Sequence, residues 1–138
     1  MPLNDAEFES WRSGLDPVQG AISAEIRSLV LRGAPQLTES VNTSRWLSGY
    51  LFYGAEPGGM VFALGAVGGG SVAFHAMPWY GSPELRARYH AELSPFVAGK
   101  SCFHFGDPGA VPREALAGLV AATDRFLALA RKRGARDG

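Results

Sequence analysis

The sequence predicts an α+β domain of two layers: an antiparallel sheet of about four or five strands packed against helices, in the order α-β-β-β-α-β-α. Three observations predict it. First, the apolar runs YLFYG, MVFALGAV and SVAFHAM are separated by AEPGG and GGG. Glycine permits the positive φ that tight connections require, so three short runs spaced in this way make a meander. Second, apolar residues on both sides of that block recur at helical spacing. Third, 138 residues, 46% hydrophobic and 19% charged, suit one domain, 1–138, with one core.

Each element has a local reason. Residues 4–13 are predicted as a short helix, with Phe8 and Trp11 on one side. Asp16 can cap a second helix and Pro17 fits its first turn. Val18, Ile22, Ile26, Leu29 and Val30 then recur at helical spacing, and Gly33 and Pro35 end it. Residues 36–49 are polar and ambiguous, with Trp46 and Leu47 standing out. After the three strands, Ser82 caps and Pro83 opens a helix whose inner stripe is Leu85, Tyr89 and Leu93. SCFHF reads as a fourth strand. Pro112 opens the last helix, with Leu116, Leu119, Val120, Thr123, Phe126, Leu127 and Ala130 inward. Arg131, Lys132 and Arg133 suit the negative end of its dipole. Gly134 can stop it, leaving 134–138 as a disordered tail.

Composition narrows the function. Thirteen basic and thirteen acidic residues balance to zero net charge, without the basic excess of a general nucleic-acid binder. Cys102 is the only cysteine, which rules out an intramolecular disulfide and fits a reducing interior. The N-terminus lacks the apolar run of a secretory signal. The most apolar stretch, ALAGLVAATDRFLALA, is interrupted by Asp124 and Arg125. A soluble, cytoplasmic protein with no membrane partner is expected.

GKSCFHFGDPG contains Gly99-Lys100-Ser101, the ending of a phosphate loop. The glycine such a loop needs five residues earlier is Ser94, and the residues after Ser101, CFHF, alternate like a strand instead of opening a helix. The simpler reading is a turn, with Lys100 in solvent or at the edge of a cleft for an anion. Strand alternation puts Phe74, Phe103 and Phe105 under the helices and His75, Cys102 and His104 on the reverse face. Ala73, Met77, Tyr50 and Phe52 are expected there too, so that face is apolar where an open one should be polar. Segment 36–49, the N-terminal helix, a second copy or a ligand must cover it. Closure of the core is the plainest outcome. The functional alternative is an aromatic cleft edged by Glu39, Trp46, Tyr50, Trp79, Lys100, Ser101 and His104. His75, Cys102 and His104 are donors of transition-metal type, although no spacing matches a zinc signature. No serine has a nucleophile elbow and no carboxylates pair at a catalytic spacing, so no catalytic residue is assigned and the chain does not read as an enzyme.

Taken together, AEIRSLVLRGAPQLTESV, FALGAVGGGSVAFHAMP and GKSCFHF with VPREALAGLV behind it resemble the YdhG-like domain family over residues 17–130. This is a bacterial family of unknown function. The resemblance implies a small α+β domain that often stands alone. It sets Glu39 on the family's acidic position and Gly99, Lys100, Ser101 and Phe105 on its later motif. Some members carry an iron-chaperone label by likeness to frataxin, which implies iron as an alternative cofactor. NTSRWLSGYLFYG departs from the family, whose members often have a proline and a tryptophan-glycine pattern here, by having no proline. The sequence also lacks an acidic ridge that would collect a hard cation. The expectation is a non-catalytic domain binding a small ligand or a partner. The alternatives are metal handling and a homodimeric structural module.

Overall fold

The computed structural model describes residues 1–55 and 59–137, with 133–137 as backbone only. Helix α1 (Asp5–Arg12) opens on a capping box: the Asn4 side chain accepts from the Glu7 N–H, and the Glu7 carboxylate accepts from the Asn4 N–H. Asp16 and Gln19 repeat that box at the start of α2 (Pro17–Gly33), with Pro17 in the first turn as expected. Gln19 has a second task. Its Nε2 donates to the Val67 and Ser71 carbonyls, pinning the start of α2 to the sheet.

The sheet has six strands, all antiparallel: β1 (Thr38–Val41), β2 (Leu51–Ala55), β3 (Gly59–Val67), β4 (Ser71–Ala76), β5 (Val97–Ala98) and β6 (Cys102–Phe105), in the order β1-β2-β3-β4-β6-β5. The expected meander is β2–β3–β4, and SCFHF supplies β6. The two further strands lie at the edges. β1 hid in the ambiguous segment because its inward residue is the charged Glu39. β5 is too short to carry a pattern.

Helices cover one face. Strand β4 stops at Ala76 and α3 (Met77–Gly81) begins at once, because Pro78 has no N–H for a ladder and fits a first helical turn. Met77 is therefore a helical residue and not part of the reverse face. Ser82 caps α4 (Pro83–Arg88) as expected, but Tyr89 breaks the predicted helix and α5 (His90–Leu93) comes after it. The last helix also divides, at Ala122, into α6 (Arg113–Ala121) and α7 (Thr123–Asp137). At that break the Thr123 hydroxyl donates to the Val120 carbonyl at 2.6 Å, a local bond of the kind that bends helices. The disordered tail expected at 134–138 falls on side chains, and on Gly138, outside the described residues; the α7 backbone is helical through Asp137.

The core lies between sheet and helices. Phe74 pairs with Phe103 and Val72 with Phe105 across β4 and β6, so all four side chains share the helix-covered face and are buried. Phe62 stacks on Phe74 with ring centroids 5.4 Å apart. Burial of a side chain of this size contributes about 1.5–3 kcal/mol. No helix among the described residues is long and apolar enough to cross a membrane.

Candidate functional site

The residues proposed from the sequence fall into three separate places. Glu39 is the first. It is 4% exposed and fully engaged. Arg27 Nε and Nη2 donate to its two oxygens at 2.8 and 2.9 Å, the Leu3 N–H at 2.8 Å and the Tyr53 hydroxyl at 2.6 Å. Arg27 in turn lies over the Phe8 ring. Burial alone would raise the carboxyl pKa, but the bonds from Arg27, Tyr53 and Leu3 outweigh it and hold the group below its usual range. Glu39 thus ties the N-terminal residues, α2, β1 and β2 together, and it does not edge a cleft. Trp79 is also internal. It is buried in α3, edge-on to Phe103 at 5.2 Å.

The second place is the reverse face of the sheet. Phe52, Ala63, His75 and Cys102 are cross-strand neighbours, and Gly65, Ala73 and His104 form the adjoining row. The parity read from the sequence therefore holds. Residues 42–50 fold back over this face. Asn42 organises them: its amide donates to the Trp46 and Leu47 carbonyls, and its oxygen accepts from the Ser44 N–H and hydroxyl. Trp11 Nε1 fastens the far end by donating to the Gly49 carbonyl.

Tyr50 lies flat on Gly65, where a Cβ would come within 2.4 Å of its ring. Trp46 stands 6.3 Å from Phe52 and 6.2 Å from His75, ring centre to ring centre. Beneath them Ala63 and Ala73 are buried, Phe52 and His75 are half-buried, and His104 is exposed. Of the covers the sequence allowed, the chain's own segment 36–49 and Tyr50 supply this one. Burial, and then the charge of His104, lower the His75 pKa, and the buried His75 Nδ1 meets no hydrogen-bond partner among the described residues. Burial pushes the Cys102 thiol up to about 11, so it is not a ready thiolate ligand. Among the described residues no group of three His, Cys, Asp or Glu side chains converges as a metal-binding set.

The third place is the β5–β6 turn. Gly99 adopts φ +78°, Lys100 is exposed, and the Ser101 carbonyl accepts from the Ala76 N–H at 2.8 Å. The turn leads into a strand, so no helix N-terminus faces it as a phosphate loop requires.

A cleft that no sequence motif announced lies on the helical side, between α4 and the α6–α7 pair. Its volume is about 630 Å³, within the usual range of small-molecule sites. Close approach shapes its floor. A Cβ on Gly118 would sit 2.1 Å from the Tyr89 hydroxyl oxygen, and one on Gly81 would sit 3.0 Å from the Phe126 ring. Leu85, Ala121 and Leu129 add apolar wall, and Leu129 is 44% exposed. Glu84, Arg88 and Arg125 supply the charges. Arg125 Nη2 reaches both Glu84 oxygens, at 3.0 and 3.3 Å. The Arg88 guanidinium stands over the Tyr89 ring, 5.5 Å from its centre. The signal in the sequence was the small-residue stripe Gly118, Ala121 and Ala122, which leaves one side of the last helix shallow.

Comparisons of the chain with protein-family models, curated proteins and solved structures return no match.

Proposed function

We propose that this chain is a non-catalytic small-molecule-binding domain whose site is the cleft between α4 and the α6–α7 pair. The observation that supports it is that cleft: about 630 Å³, with an apolar wall and charged groups confined to three side chains. Sites of this kind bind by shape and apolar contact, with a few polar groups fixing orientation. The reverse face supports a ligand less well, since the chain's own loop covers part of it.

Two-dimensional amide NMR of the whole protein, titrated with a fragment mixture, tests the proposal. The expected result is shifts at Gly81, Gly118, Ala121 and Ala122, abolished by Ala121→Trp, which fills the cleft from an exposed position. Shifts confined to Trp46 and His75, or none at millimolar fragment, would overturn it.

A further inference from the structure

Resting on the cleft reading, we propose the class of molecule that the cleft takes: an apolar body carrying one anionic group, such as an aryl or alkyl carboxylate or sulfonate. The charges on the cleft are unequal. Arg88 and Arg125 face one carboxylate, Glu84, and that carboxylate is taken up by Arg125. Arg88 forms no ion pair among the described residues. Its guanidinium stands on the Tyr89 ring, whose hydroxyl is lodged against Gly118 at the floor. With no carboxylate paired to it among the described residues, Arg88 has N–H donors open to an acceptor entering the cleft, and guanidinium matches a carboxylate or sulfonate edge bidentately.

The rest of the lining favours an apolar body. Leu85, Phe126 and Leu129 face the space, and Leu129 holds apolar surface in water that a ligand would cover. The Glu84–Arg125 pair is exposed at both ends, 70% and 69%. Such pairs contribute little to stability, but this one keeps the Glu84 carboxylate engaged and leaves the anionic head to Arg88. A cationic ligand would meet two guanidinium groups and only one engaged carboxylate.

The test uses two fluorescent probes of similar body that differ in charge: 8-anilinonaphthalene-1-sulfonate and uncharged N-phenyl-1-naphthylamine. Each is titrated into the whole protein and into the variants Arg88→Ala, Arg88→Gln and Ala121→Trp, with thermal melts confirming that each variant is folded. The expected result is that the sulfonate binds more tightly than the neutral probe. Either Arg88 variant should weaken the sulfonate about tenfold, the loss of one charge-assisted hydrogen bond, and should change the neutral probe less than about twofold. Ala121→Trp should abolish both. If both probes bind equally, are lost in Ala121→Trp and ignore Arg88, the cleft binds small molecules but the anionic class is wrong. If neither binds, or Ala121→Trp leaves binding unchanged, the cleft reading falls and the inference with it.

Discussion

On the helix-covered face of the sheet, Phe62, Phe74, Phe103 and Phe105 fill the space below α2 and α6. On the reverse face the same strands carry Ala63, Gly65 and Ala73, and the rings of Trp46 and Tyr50 fill from above. The two faces also treat their polar groups differently. Glu39, on the first, is met by Arg27, Tyr53 and Leu3; His75, on the second, keeps an Nδ1 with no partner among the described residues. Buried polar groups stabilise only when satisfied. The helical face should therefore resist local change until a partner is removed, whereas the loop-covered face should loosen by degrees.

The largest effect is expected from breaking the first arrangement. Glu39→Ala leaves the half-buried Arg27 without its carboxylate; removal of one member of a fully buried pair costs about 3–5 kcal/mol, and the lower end is expected here. Urea unfolding measures it, and Glu39→Gln, which keeps one accepting oxygen but sets its amide N–H groups against donors, should recover only part of the loss. The pH dependence has a definite sign. The Glu39 pKa is lowered in the fold, so its stabilisation is complete above the ordinary carboxylate pKa and is lost as pH falls through the folded one. Glu39→Gln should flatten that acid limb; an unchanged limb would place the acid sensitivity elsewhere.

A smaller effect is expected from Gly65→Ala. The added methyl would lie 2.4 Å from the Tyr50 ring, and overpacking of this kind costs about 1–3 kcal/mol. The sharpening step is the double variant. With Tyr50→Ala also present, the alanine has room, so the two losses should not add. Full additivity would mean that Tyr50 does not rest on Gly65.

Legibility in the sequence divides along the same line. The helix-covered face was legible because Phe74, Phe103 and Phe105 sit in strict alternation, and Asp16, Pro17 and Ser82 mark helix starts through bonds to their own neighbours. Where a residue's partner is remote in sequence, its place stayed open. Glu39 looked like a cleft edge because Arg27, Tyr53 and Leu3 come from three other segments. Trp79 could close the core or edge a cleft, because nothing local shows that Pro78 starts a helix. The cleft was missed for a related reason: a concavity is made by what glycine and alanine leave unfilled, and it appears only once α4 lies across from them.

His75 should produce a shallower pH response on the reverse face. Burial lowers its pKa, so the neutral imidazole is the form the fold accepts. Stability should be unaffected above the unfolded value, about 6.5, and should decline as pH falls from there through the lower folded pKa. Replacement by phenylalanine should remove that slope while leaving the Glu39 limb intact. A slope that survives His75→Phe would assign the titration to another group.

Trp46→Ala should be the mildest change, and it weighs the two halves of the cover against each other. Trp46 is 59% exposed, and substitutions at such positions usually stay within about 0.5 kcal/mol. Its ring nevertheless stands edge-on to His75 and Phe52, so its loss lets water nearer the imidazole. The His75 pKa, tracked by NMR, should rise toward its ordinary value while global stability barely moves. Tyr50→Ala, which strips the ring lying directly on Gly65, should raise that pKa further and cost more stability. If Trp46→Ala were the costlier of the two, the covering of this face would belong to the exposed indole and Tyr50 would be secondary. The glycine at 65 would then have no packing reason.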